Sequence, residues 1–222
     1  MGRSITRTND LHKVFRNGDS ELLNQIGALC ILFEDFRHEV ASFHQFLPEV
    51  TDSTPDVQIL HQMLYYLRRS LVTLDEARER LQAICTNEQF RSARHHMKQA
   101  NFLALVEARR YLNRNGILKS LRNSLGAHID PEKVVRASIQ YYGPNAISSI
   151  HWSDTQTDFA LQLDFATHIL EGAIASHLPG GAERLEQEMS RFFGVMTEAY
   201  KHLQNATFIL IHAFLWDRFA AG

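Results

Sequence analysis

The chain has 222 residues and a net charge of −2, with 45% hydrophobic and 22% charged residues. This composition is typical of a soluble globular protein, and the length is sufficient to bury a substantial core. No window approaches the roughly 20 apolar residues of a membrane-spanning helix, and no apolar run follows the basic N-terminus, so the sequence argues against a membrane protein and against secretion.

The two cysteines, Cys30 and Cys85, each fall within an apolar helical stripe and belong to no redox or zinc motif. Such thiols are typical of a reducing compartment, so we expect a cytoplasmic protein. Residues 1–18 are largely polar and predict an N-terminal extension. We expect a single all-helical domain over residues 1–222.

Two long helices are predicted in the first part of the chain. Apolar residues recur at alternating steps of four and three from Leu22 to Leu47, and Pro48 is expected to end this helix. A second start signal at Thr54-Pro55-Asp56 precedes a similar stripe from Leu60 to Cys85. Two such stripes joined by a short loop predict an antiparallel helical hairpin.

The remaining helices follow from the same periodicity. Their predicted ranges are 90–112, bent near the adjacent histidines 95 and 96, then 117 to a turn before residue 131, about 131–141, about 155–177, and 185–219. Residues 146–152 have strand character, but a single short strand cannot form a sheet, so we interpret them as an ordered connection. The predicted fold class is all-α, a helical bundle of about six to seven helices with long antiparallel helices.

Charge is distributed unevenly along the chain. Between Gln89 and Ile129 there are eight lysines and arginines against one acid, Glu107, a net charge of +7, so the rest of the chain carries −9. This segment either binds a polyanion or consists of helices whose solvated faces are cationic.

A short stretch inside this basic segment combines a cation with a titratable imidazole. Leu118, Leu121, Leu125 and Ile129 predict a helix with one apolar stripe, and Asp130 before Pro131 is expected to lie outside it. Arg122 and His128 are six residues apart, which places them far apart around the axis of a continuous helix. A site that uses both therefore needs a break in the helix or a second chain.

The sequence Arg-Asn-Ser-Leu-Gly-Ala-His at 122–128 resembles the Arg-polar-x(3–5)-His signature of the HEPN superfamily. These all-helical proteins include many prokaryotic ribonucleases of toxin and defence systems, in which the Arg and His of two protomers meet at a dimer interface and cut RNA without a metal. The resemblance implies a homodimer, catalytic roles for Arg122, Asn123 and His128, no cofactor and no metal ligands. An antitoxin-like partner protein is a further implication. This chain has Asp130 where some catalytic members have a tyrosine.

The chemistry of the motif fits this interpretation. An imidazole can accept the proton of a ribose 2′-hydroxyl near neutral pH, and a guanidinium can stabilise the charge that develops on the phosphate. Asn123 would orient His128 or a phosphate oxygen. RNA is then the expected partner, and the expected RNA-binding residues are Arg91, Arg94, His95, His96, Lys98, Arg109, Arg110, Arg114 and Lys119.

Three alternatives stay open. Arg122 could pair with an acid of a neighbouring helix while His128 caps its own helix, which would make the chain a non-catalytic helical interaction or regulatory module. Acid and histidine residues one turn apart could form a carboxylate and histidine metal site, for which the sequence offers Asp35 with His38, Asp164 with His168 and Glu198 with His202. The pairs Tyr65-Tyr66 and Tyr141-Tyr142 could stack on bases or belong to the core.

Overall fold

The computed structural model describes residues 20–52, 57–116, 118–119, 150–152, 161–163 and 185–215. This part of the chain is all-α apart from one pair of short strands. Its elements are α1 (Glu21–Asp52), α2 (Val57–Thr86), α3 (Glu88–Ala93), a 3-10 helix (Arg94–His96), α4 (Gln99–Arg114), β1 (Ile150–Trp152), β2 (Leu161–Leu163) and α5 (Leu185–Phe214).

The first helix begins where its apolar periodicity begins. The carbonyl of Ser20 accepts hydrogen bonds from the backbone N–H groups of Leu23 and Asn24, at 3.0 and 3.2 Å. Along α1 the buried apolar residues recur at helical spacing, so one face of the helix is apolar. They are Leu22, Ile26, Leu29, Phe36 and Phe43.

The predicted end of this helix at Pro48 is wrong, because α1 continues to Asp52. A proline removes the hydrogen bond that its own nitrogen would donate and crowds the preceding turn. The neighbouring residues can nevertheless remain helical, because a proline removes only one of the backbone hydrogen bonds of a long helix.

The bend predicted near His95 and His96 is confirmed. The side chain of Asn87 accepts a hydrogen bond from the backbone N–H of Gln89 at 2.9 Å and so caps the short helix α3. A 3-10 turn follows, and Met97 then adopts an extended conformation with φ −78 and ψ 147. This extended residue ends the helical segment formed by α3 and the 3-10 turn, so α4 can begin in a new direction.

The contacts divide the chain into two compact units. Among the described residues, the first unit contains 20–34, 76–113 and 199–215. The second unit contains 35–52, 57–75, 114–116, 118–119, 150–152, 161–163 and 185–198.

The first unit packs parts of five helices through aromatic and apolar contacts. The rings of Phe33 and Tyr200 stack with centroids 5.5 Å apart, and those of Tyr111 and His202 stack at 4.6 Å. Phe90 of α3 contacts Phe214 of α5, with ring centroids 6.1 Å apart. These contacts connect α1, α3 and α4 to the same C-terminal helix.

The second unit joins other parts of α1 and α5 through Phe193. Its ring stacks on Phe43 with centroids 6.0 Å apart and lies against His44 at 4.8 Å. On α2, the buried apolar residues of this unit continue the predicted leucine stripe. They are Met63, Leu67, Leu71 and Leu74.

A two-stranded antiparallel ladder corrects two sequence-based expectations. Ile150–Trp152, which we expected to be a connection, pairs with Leu161–Leu163, which we expected to be part of a helix over residues 155–177. The register matches apolar with apolar and polar with polar residues, with Ile150 opposite Leu163 and His151 opposite Gln162. A second alternating segment supplies the backbone partner that one strand alone would lack.

None of the helices in the described ranges combines the length and apolarity that crossing a membrane requires.

Two phenylalanines of α5 provide a test of where the stabilising burial lies. Phe192 is fully buried and Phe208 is 60% exposed. Replacing Phe192 with alanine is expected to lower the free energy of unfolding by about 3–5 kcal/mol, because the change removes a buried ring and leaves a cavity. Replacing Phe208 with alanine is expected to change it by no more than about 0.5 kcal/mol. Urea unfolding of both variants measures the difference, and equal losses would contradict this packing.

Candidate nucleic-acid interface

The three predicted catalytic residues, Arg122, Asn123 and His128, lie outside the described residues. The chain shortly before them is described at residues 115–116 and 118–119. The side chain of Asn115 accepts a hydrogen bond from the backbone N–H of Leu118 at 3.1 Å, and the Asn115 carbonyl accepts one from Lys119 at 3.0 Å. Asn115 therefore caps a helical turn that includes Gly116, Leu118 and Lys119.

The other predicted site residues all lie in described parts of the chain. Arg91 is on α3, Arg94, His95 and His96 form the 3-10 helix, and Lys98 precedes α4. All five side chains are exposed. We call residues 91–98 the basic bend.

Local hydrogen bonds define the backbone of the basic bend. The N–H of Arg94 donates to the carbonyl of Phe90, and that of Met97 donates to the carbonyl of Arg94 at 3.1 Å. On the far side, the Lys98 carbonyl accepts from the N–H groups of Asn101 and Phe102 at 3.0 and 3.1 Å. Three cations and two imidazoles thus extend from eight consecutive residues whose backbone is held at both ends.

The aromatic ring of Phe102 contacts Arg94, the central cation of the basic bend. The guanidinium carbon of Arg94 lies 5.8 Å from the centre of the Phe102 ring, a cation–π distance. Phe102 belongs to α4 and is half-buried, so its ring is fixed by the helix on which it lies. The contact restricts the positions that the Arg94 side chain occupies and leaves the exposed guanidinium able to donate hydrogen bonds.

The local charge along the chain at the basic bend is positive. No aspartate or glutamate occurs between Gln89 and Val106 along the chain. Guanidinium and ammonium groups bind phosphate oxygens through charge-assisted hydrogen bonds, and arginine can do so with two bonds at once. The basic bend can therefore hold a phosphate backbone without neighbouring acids in sequence to compete for its cations.

The predicted cations further along α4 are separated from the bend. From Gln99 to Arg109 the helix rises about 15 Å. Arg110 and Arg114 are exposed, whereas Arg109 is half-buried near the Cys85 thiol, where its charge partly opposes the rise in the thiol pKa that burial causes. Lys119 is exposed on the helix that Asn115 caps. The described residues thus concentrate five of the predicted contacts in one bend and distribute the other four along the following helices.

Both cysteines have free, half-buried thiols. Burial, with a further contribution from Glu34, raises the pKa of Cys30 to about 11. Burial also raises the pKa of Cys85, and the charge of Arg109 offsets only part of that rise. A thiol with a raised pKa is a poor nucleophile near neutral pH, so neither cysteine has the properties of a reactive site.

The metal alternative gains no support in the described ranges, where no cluster of three or more histidine, cysteine, aspartate or glutamate residues has the geometry to hold a metal ion. Of the predicted acid and histidine pairs, Asp35 and His38 lie on α1, where the His38 ring is 3.2 Å from the Arg37 guanidinium. Asp164 and His168 lie outside the described residues.

Of the two predicted tyrosine pairs, one is described and the other is not. Tyr65 and Tyr66 contact each other edge to face with ring centroids 5.4 Å apart, and Tyr65 is exposed. They lie in the second unit. Tyr141 and Tyr142 lie outside the described residues.

Two features were missed by the sequence analysis. The first is the support of Arg94 by Phe102, an eight-residue separation that crosses the bend and that no helical periodicity reveals. The second is the burial of Glu39, at 8% exposure. The sequence does contain a signal for this burial. Glu39 lies three residues after Phe36 and four before Phe43, so all three fall on one helix face.

Comparisons with family models, with curated proteins and with solved structures found no match to this chain. The resemblance of residues 122–128 to the HEPN signature therefore remains a prediction from the motif.

The basic bend generates a binding prediction. Arg94→Ala is expected to weaken binding of single-stranded RNA about tenfold, the loss of one charge-assisted hydrogen bond. It should also reduce the slope of log affinity against log salt by about 0.7, because one fewer phosphate is neutralised. Phe102→Leu preserves every charge, so it should weaken binding less and leave the slope unchanged. Fluorescence anisotropy of a labelled oligonucleotide across a salt series measures both quantities.

The matched control is Arg80→Ala, which removes an exposed cation of α2 outside the bend. We expect it to leave affinity and salt slope close to wild type. Equal effects of the two alanine substitutions would mean that binding follows total charge and that the basic bend is not the site.

Proposed function

We propose that this protein is a metal-independent endoribonuclease of the HEPN type, in which the basic bend binds RNA and Arg122, Asn123 and His128 cut it. The observation that carries the proposal is the exposed bend at residues 91–98, which presents three cations and two imidazoles with no acid between Gln89 and Val106. A phosphate backbone is the polyanion that such a surface suits.

The helical turn shortly before the motif is the second support. The Asn115 cap begins a helix whose buried Leu118 is the first residue of the predicted apolar stripe. The motif residues follow along the same sequence, in a chain whose described part is all-α apart from one pair of short strands. HEPN proteins are all-helical, so the fold class agrees with the resemblance. The finer arrangement that we propose is a bundle of about six to seven helices with long antiparallel helices.

The proposed chemistry is an internal transesterification of RNA. His128 accepts the proton of a ribose 2′-hydroxyl while that oxygen attacks the adjacent phosphorus. Arg122 donates hydrogen bonds to the phosphate oxygens as charge develops on them. The bond between phosphorus and the 5′-oxygen then breaks, and the departing oxygen takes up a proton. The products are a 2′,3′-cyclic phosphate and a 5′-hydroxyl.

A homodimer completes this site. A departing 5′-oxygen needs an acid as well as a base, and one chain supplies a single His128. A two-fold axis beside residues 117–131 would bring two sets of motif residues together, because a two-fold contact presents the same patch from each subunit. We propose that the protein is a toxin or defence ribonuclease whose activity an antitoxin-like partner would restrain.

A second candidate function is a non-catalytic interaction or regulatory module with a HEPN-like fold. Two exposed apolar side chains on α4 favour it, Leu103 at 55% exposure and Val106 at 36%. They lie one helical turn apart, and exposed apolar groups are common in surfaces that bind other proteins. In that case the motif residues would only hold the fold.

The decisive assay is incubation of the purified protein with mixed RNA in excess EDTA near neutral pH. We expect wild type to cut, and we expect His128→Ala to cut at least about a hundredfold more slowly, the usual effect of losing a positioned general base. The melting temperature of the variant should stay close to that of wild type. Electrophoresis and end-group analysis of the fragments measure the rate and the chemistry.

The control is His212→Ala, since His212 is an exposed histidine at the end of α5. It should cut at the wild-type rate. A folded wild-type protein that leaves RNA intact across neutral pH would contradict the enzyme and favour the interaction module. Full activity of His128→Ala would place the base elsewhere.

A further inference from the structure

Glu39 is buried between α1 and α2 in the second unit. The leucine stripe of α2 predicts only apolar contacts at this position. Glu39 has a residue exposure of 8%, and its side chain is 11% exposed. Ser70 and Thr73 on α2 are also buried. The hydroxyl of Ser70 donates to the carbonyl of Leu67 on its own helix at 2.8 Å, so Ser70 has a local acceptor for its proton.

The two oxygens of Glu39 have different surroundings. Oε1 accepts a hydrogen bond from the Thr73 hydroxyl at 3.0 Å and lies 3.4 Å from Nε of Arg69. Oε2 is buried and has no hydrogen-bond partner among the described residues. An ionised carboxylate in this position keeps one oxygen charged and without a donor, which is unfavourable in a low-dielectric environment.

A proton on Oε2 removes the buried negative charge that has no donor at that oxygen. The neutral carboxyl still accepts the Thr73 hydrogen bond through Oε1, whereas the pairing with Arg69 weakens. Arg69 loses little, since its side chain is 51% exposed and remains hydrated. Protonation therefore stabilises the contact between the two helices.

We propose that Glu39 is a proton-dependent clamp between α1 and α2, which takes up a proton on Oε2 and holds the two helices more tightly as the pH falls.

The charged groups around the carboxyl agree with this direction. Burial raises the pKa of Glu39, and its contacts with Thr73 and Arg69 oppose the rise, while Asp35, one turn earlier on α1, adds to it. On the next turn of α1, α5 packs through the uncharged ring of Phe193 against Phe43 and the His44 ring. Burial is the largest of these effects, so the net shift is upward.

The direction of this pKa shift determines how the stability of the fold depends on pH. A folded-state pKa above that of the unfolded chain means that folding takes up a proton, so this group stabilises the fold fully below the ordinary pKa of a glutamate. The stabilisation is lost as the pH rises through the raised pKa. Acidification thus strengthens this contact, whereas the carboxylates of most proteins contribute the opposite dependence.

Glu39→Gln tests the clamp, because glutamine imitates the protonated carboxyl and keeps an oxygen for Thr73. Near pH 7.5 the variant should have a smaller unfolding equilibrium constant than wild type. The ratio of the two constants should approach one as the pH falls below the ordinary pKa of a glutamate. Each unit of pKa shift corresponds to about a tenfold change in this ratio, so urea unfolding over a pH series reports the shift directly.

Two further measurements make the result decisive. Glu107→Gln, an exposed acid of α4, is the matched control and should show no pH-dependent gain. A carbon-13 titration of the Glu39 carboxyl in wild type needs no variant and should give a midpoint above that of an ordinary glutamate. A midpoint at or below the ordinary value, or a Glu39→Gln variant that is less stable than wild type near pH 7.5, would overturn the proposal.

Discussion

The burial of one apolar stripe on each long helix is the constraint on which the rest of this structure depends. Isolated helices gain little stability from their backbone hydrogen bonds alone, so α1, α2 and α5 need packing partners. Helices α1 and α5 provide such packing partners for each other within each unit. Phe33 contacts Tyr200 in the first unit, and Phe43 contacts Phe193 in the second. The polar faces that remain are then available for binding.

The contrast between buried apolar stripes and exposed polar faces explains why the basic bend is exposed. Phe90 on α3 and Leu105 on α4 are buried, and each anchors the helix on one side of the bend. The cations between them lie on the short 3-10 turn and the residues next to it, where no apolar stripe turns them toward the core. Contacts from arginine and lysine side chains to phosphates fix the register and orientation of a protein on a nucleic acid.

Sequence periodicity predicted the long helices well because each carries a regular stripe over many turns. It failed at Pro48, where local propensity predicted an end and the helix continues to Asp52. It failed again at Leu161–Leu163, because strand pairing depends on a segment nine or more residues away. The cations of the candidate site were visible in the sequence, whereas the support of Arg94 by Phe102 and the burial of Glu39 depend on contacts between elements.

The central claim is that RNA contacts both the basic bend and the motif residues. Ultraviolet crosslinking of bound RNA, followed by mass spectrometry of the attached peptides, tests it without relying on any variant. The account predicts crosslinked peptides from residues 91–102 and from residues 117–131. Crosslinks confined to other parts of the chain, such as the peptide that contains Tyr65 and Tyr66, would contradict it.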